Sequence, residues 1–158
     1  MCNSLGRVGL TATVLAGLLL GGRAHAACEC PPASLDERIA GSAVIFAGKP
    51  LMFAQIPSGS SPFHSEQSIE SPNPMQYDVI TLFAVDTVWK GEPTHRIKVR
   101  HERGDCSADF KPDVSVIVFA QADQSGVLWT RLCSGNAAVG DTGYDDLKQV
   151  LTDRLRYN

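Results

Sequence analysis

Five cysteines carry most of the chemistry open to this 158-residue chain: Cys2, Cys28, Cys30, Cys106 and Cys133. Cys28 and Cys30 are separated by Glu29 alone. Residues two apart on an extended segment point the same way, so both sulfurs face one surface. Pro31 and Pro32 then remove two backbone donors and hold the following stretch extended. The spacing lacks the two-residue gap of a redox dithiol. Its distant partners also fail to give the paired short spacing of a structural zinc site. Disulfide formation is the chemistry that remains. Joining Cys28 to Cys30 would close a strained ring, so each takes a distant partner, which leaves two arrangements with Cys106 and Cys133. Either closes loops of many tens of residues, at about 4 kcal/mol per bridge in the chain-entropy model.

The other candidates for chemistry are weaker. His64, His95 and His101 could gather in space with Asp105. Isolated histidines on strands and loops, however, are solvated or structural far more often than catalytic. The chain has no Gly-x-Ser-x-Gly elbow, no His-Glu-x-x-His pair and no phosphate-cradling glycine loop. It reads as a non-enzyme that needs no cofactor and no metal of its own.

The compartment supports the disulfide reading. Residues 1–26 form a secretory leader: Arg7 supplies positive charge, residues 8–22 are almost wholly apolar, and Ala24-His25-Ala26 is a small-x-small cleavage site. The apolar run is shorter than the roughly 20 residues of a membrane span, and no second run follows. A lipoprotein signal acylating Cys28 is the rival, with His25 standing where an aliphatic residue belongs. Cleavage places Ala27 first, makes residues 27–158 the mature domain, and removes Cys2, leaving an even four cysteines for a secreted or periplasmic protein. With Arg7 and Arg23 gone, 12 basic residues face 17 acidic ones, a net charge of −5. Such a chain does not attract nucleic acid.

Around these residues the pattern is mostly strand. Ser34-Leu35-Asp36-Glu37 fits a capping box that starts a short helix reaching about Ala40. Residues 42–53 read as a strand bent at Gly48-Lys49-Pro50, and residues 56–75, rich in Ser and Pro, as a long loop. Residues 77–89 are apolar on both faces, which marks the longest strand as a central or strongly coiled one. Residues 94–101 alternate through Ile97 and Val99, with Arg96, Lys98 and Arg100 on the solvent side. Residues 102–111 are irregular. Residues 114–122 form a dense apolar strand, with 127–132 as its hairpin partner. Tyr144, Leu147, Val150, Leu151 and Leu155 recur at helical spacing. Trp89 and Trp129 fall in the core pattern. Five strands and two helices in one domain predict a mainly β fold, a five-stranded Greek-key barrel of the oligonucleotide/oligosaccharide-binding type with flanking helices and a disulfide-stapled N-terminus.

Several stretches, taken in order, resemble the netrin-like module, which includes the inhibitory domain of the tissue inhibitors of metalloproteinases. They are Cys28-x-Cys30-x-Pro32, Val44-Ile45-Phe46-Ala47-Gly48-Lys49, Phe83-Ala84-Val85 with Trp89-Lys90-Gly91, Gly104-Asp105-Cys106, Val118-Phe119-Ala120 and Leu132-Cys133-Ser134-Gly135. The resemblance implies the same barrel and the pairing Cys28 with Cys106 and Cys30 with Cys133. It also implies a secreted, monomeric inhibitor of metalloendopeptidases acting through Cys28, Glu29, Cys30 and Pro31. Cys28 would chelate the target's zinc through its amine and carbonyl, Glu29 would enter the specificity pocket, and loop 56–75 would add contacts. A non-inhibitory, protein-binding or structural module of the same type is the alternative it implies.

Overall fold

A computed structural model describes residues 28–57, 77–102 and 107–155. The leader, Ala27, Cys106, Asp105, His64 and the loop beyond residue 57 lie outside the described residues. Two helices, α1 (Leu35–Gly41) and α2 (Tyr144–Leu155), flank six strands: β1 (Val44–Pro57), β2 (Tyr77–Lys90), β3 (Arg96–Glu102), β4 (Val116–Ala122), β5 (Leu128–Trp129) and β6 (Ala137–Ala138). Five strands close a barrel in the order β1-β2-β3-β5-β4, with β4 returning to β1. Every pairing is antiparallel except the single parallel bridge Arg100↔Trp129 between β3 and β5. The mainly β barrel with flanking helices is therefore the fold, and β6 is a short addition to β4 at Val116 and Ile117.

Closure depends on how β1 coils. Val44 pairs with β4, Ile45 to Gly48 pair with both β2 and β4, and the remainder pairs with β2 alone. Register shifts at Ile45/Phe46, Ala47/Gly48 and Pro50/Met52 bend it between its two neighbours. Gly48 lies so close to the Ala84 carbonyl that a Cβ there would collide with backbone. The expected bend at Gly48-Lys49-Pro50 is thus a bulged strand rather than an end. β1 runs on to Pro57 and takes in Ile56, which the sequence assigns to the loop.

Alternation along β1 and β4 divides the apolar residues between two layers. Phe46, Phe83, Ile97, Val99, Ala108, Phe110, Val116, Val118 and Ala120 fill the barrel interior. Phe83 meets Phe46 and Phe110 edge-on at ring-centroid distances of 5.2 and 5.1 Å. Ile45, Ala47, Ile117, Phe119, Tyr144 and Leu151 form the outer layer, covered by Leu35 and Ile39 of α1 and by Leu147 and Leu155 of α2. Each fully buried Phe, Ile or Leu stabilises the fold by about 1.5–3 kcal/mol. Trp89 packs in this layer and donates from Nε1 to Thr152 Oγ1 at 3.0 Å, which ties α2 to β2.

Two expectations are corrected. Arg100 is buried rather than on the solvent side: its Nε donates to Asp78 Oδ2 at 2.8 Å and its Nη2 to the same oxygen. Alternation breaks at the end of β3, where Val99, Arg100 and His101 are buried in succession. The hairpin partner of β4 shrinks to Leu128–Trp129, because Thr130 turns inward and Leu132–Ser134 winds into a single 3₁₀ turn. Trp129 is only half-buried, with the Arg131 guanidinium 4.5 Å from its ring centroid. No helix among the described residues is long and apolar enough to cross a membrane.

Candidate docking edge

The described chain starts at Cys28, half-buried, and continues through Glu29, Cys30, Pro31, Pro32, Ala33 and Ser34, all exposed. Exposure alone would leave such a segment loose, but it is fastened at several points. Cys30 is disulfide-bonded to Cys133 with Cα atoms 5.1 Å apart and 103 residues between them in sequence. A loop of that length corresponds to about 4.7 kcal/mol of chain-entropy stabilisation. Cys28 is disulfide-bonded too, and the cysteine it joins lies outside the described residues, as does the expected partner Cys106. Behind the prolines, Ser34 caps α1. Its Oγ accepts from Glu37 N at 3.2 Å, and Glu37 Oε2 accepts from Ser34 N at 2.7 Å. These bonds to Ser34 hold the Glu37 carboxyl below the usual range. Helix α1 is in turn bound to the barrel: Lys90 Nζ donates to the Ile39 carbonyl at 2.7 Å, and Arg154 pairs with Asp36.

The anchor for Cys30 is itself built from polar contacts. Cys133 lies in the 3₁₀ turn, which Ser134 closes by accepting from Arg131 N at 3.0 Å through its Oγ. Gly135 ends the turn at φ 90°, a conformation that favours glycine, and a Cβ there would run into the Arg38 side chain. Asn136 then binds the turn to β4. Its Oδ1 accepts from Phe119 N at 2.9 Å, and its Nδ2 donates to the Arg131 carbonyl at 3.2 Å and to Thr130 Oγ1 at 3.0 Å. Thr130 Oγ1 donates to the Phe119 carbonyl at 2.9 Å. Arg38 completes the junction from α1, its guanidinium carbon 5.8 Å from the Phe119 ring centroid. Sequence reading singles out Cys133 but not Asn136, Thr130 or Arg38. The available signal was a small polar cluster beside a glycine at a strand end, where unpaired backbone groups need side-chain partners.

Glu29 sits between the two bridged cysteines. Its side chain is exposed. Glu29 has no hydrogen-bond or ion-pair partner among the described residues. Beside the edge, Phe110, Val116 and Leu132 line a shallow cleft together with Asp109 and Asp141.

A second polar group lies between β2 and β3 and adjoins the anchor, where Thr130 N donates to the Arg100 carbonyl at 2.9 Å. Asp78, Thr81, Arg100 and His101 are all buried. His101 Nε2 is 2.9 Å from Thr81 Oγ1, and its ring meets Phe110 edge-on at 5.0 Å. Burial pushes the His101 imidazole below its ordinary range, outweighing the pull of Asp109 and Asp78. Of the histidines that could have gathered, His95 and His101 do not meet, and His64 lies outside the described residues. His95 is exposed just ahead of β3, and six residues of extended chain, about 20 Å, separate it from buried His101. No group of three His, Cys, Asp or Glu side chains that could hold a metal occurs among the described residues.

No protein-family model matches this chain, and no curated protein matches it. The functional reading therefore rests on the edge itself.

Proposed function

We propose that this protein is an extracytoplasmic, netrin-like binding module that inhibits a metalloendopeptidase through its Cys28-Glu29-Cys30-Pro31 edge. The observation that carries the reading is an exposed segment held covalently on a barrel by Cys30–Cys133, with Cys28 bridged as well. Binding normally costs about 0.5–1.5 kcal/mol for each side chain immobilised at the interface, plus the cost of ordering loops. A segment already fixed by sulfur bridges, two prolines and a capped helix has met that cost in the free protein. The same rigidity suits a substrate-like strand that must occupy a cleft without being cut.

Inhibition through zinc adds one requirement. The Cys28 nitrogen must be a free, neutral amine, so export has to end with Cys28 as the first residue of a mature, monomeric protein without cofactor. If Ala27 comes first, the Cys28 nitrogen is an amide and cannot ligate zinc as an amine does. Ala24-His25-Ala26 points to Ala27, and this observation favours the second reading, a non-inhibitory module that docks on an extracytoplasmic protein through the same edge. Amino-terminal sequencing and intact mass of the exported protein, followed by titration against secreted zinc endopeptidases, separate the two. Cys28 first with stoichiometric inhibition supports the inhibitor. Ala27 first without inhibition leaves the docking module.

A further inference from the structure

We infer that the site receiving this edge on its partner is cationic, and that Glu29 is the residue that selects it. The inference rests on the docking reading above and concerns the chemistry of the same edge. Glu29 is exposed between two bridged cysteines and has no partner among the described residues. Its charged neighbours cannot neutralise it. Arg154 is taken by Asp36. Arg38, the first cation after the edge, lies against Gly135 and Phe119.

Docking removes Glu29 from water, and an ionised carboxylate in an apolar pocket is strongly disfavoured unless it is paired and hydrogen-bonded. The bridges on both sides keep the backbone from swinging the side chain back into solvent. A partner that accepts this edge must therefore bring its own cation, and a guanidinium that meets both carboxylate oxygens fits best. Among metalloendopeptidases this describes one whose pocket takes an acidic residue just after the bond it cuts. It excludes enzymes that require Leu or Phe there.

The test uses two secreted zinc endopeptidases, one cutting ahead of Asp and Glu, the other ahead of Leu and Phe. The exported protein and its Glu29→Gln and Glu29→Leu variants are titrated against each, with thermal melts confirming unchanged folding at this exposed position. The expected result is inhibition of the acid-directed enzyme, weakened about 10- to 100-fold in Glu29→Gln, as for loss of a charge-assisted hydrogen bond. Glu29→Leu should move inhibition toward the second enzyme. Added salt should weaken the native protein more than Glu29→Gln. Inhibition of the apolar-directed enzyme with Glu29→Gln unchanged would overturn the charge inference and leave the docking reading standing. Inhibition of neither enzyme by any form would overturn the inhibitor reading, and this inference with it.

Discussion

The two polar regions of this barrel handle charge in opposite ways. At the edge, Glu29 is exposed with no partner among the described residues, and its position comes from covalent bridges placed on either side of it. Between β2 and β3, Asp78 and Arg100 leave water together, 2% and 9% exposed at their side chains, and hold each other in place. A buried ion pair whose members hold each other in place belongs first to the fold. An exposed carboxylate on a rigid support retains capacity for another molecule, so it belongs to recognition. The contrast shows why the buried Asp-Arg-His-Thr group, which has more of the residue types found in active sites, is the weaker functional candidate.

The comparison can be broken first at the buried pair. Asp78→Ala leaves the Arg100 guanidinium buried without its counter-ion, and the expected cost is about 3–5 kcal/mol. Asp78→Leu combined with Arg100→Met should restore most of that stability, because removing both charges removes the desolvation penalty. Chemical denaturation of the three proteins checks the ordering. If Asp78→Ala melts like the native protein, the pair is not what holds this side of the barrel.

Severing the bridge at the edge comes next. Cys30→Ser with Cys133→Ser should lower stability by about 2–5 kcal/mol through the unfolded chain. Circular dichroism should retain the β signature, since the core of Phe46, Phe83 and Phe119 is untouched. Loss of the barrel signal at ambient temperature would show that the bridge builds the fold as well as the edge.

His101 gives a pH dependence with a definite sign. Thr81, Asp78, Phe110, Arg100, Glu102 and Asp109 surround it, and burial lowers its folded pKa below the ordinary imidazole value of about 6.5. The unfolded chain therefore binds more protons, and stability is full above pH 6.5 and falls as pH drops below it toward the folded value. In His101→Phe, that decline between neutral pH and the carboxylate range should disappear from denaturation midpoints. A decline of the same size in the variant would assign it to other groups. The smallest effect is expected at the helix start: Ser34→Ala removes one cap and should cost about 1 kcal/mol.

Much of this was legible in the residues, and the failures share a cause. The capping box, the central strand and the amphipathic last helix follow from local pattern, because each is decided by neighbours three or four residues away or by alternation. The barrel follows from counting strands. Arg100 was misplaced because alternation assigns faces without knowing that Asp78, on the adjacent strand, supplies a counter-ion inside. The length of β1 was cut short because the Ser- and Pro-rich stretch after it reads as loop from Ile56, whereas pairing with β2 carries the strand on to Pro57; the bend expected at Gly48-Lys49-Pro50 is there as register shifts. The Asn136 node was invisible because its partners, Phe119 and Thr130, come together only once β4 and the 3₁₀ turn are packed. The Cys30–Cys133 bridge came from family resemblance, since spacing alone left two pairings open.

The central claim is that rigidity at Cys28-Glu29-Cys30-Pro31 serves recognition. The most direct measurement is inhibition of the acid-directed zinc endopeptidase by the exported protein, compared with the Cys30→Ser/Cys133→Ser variant at a temperature where both are folded. The account predicts that the native protein inhibits and that releasing the edge abolishes inhibition while the barrel persists. Equal inhibition by the native protein and the released variant would contradict it.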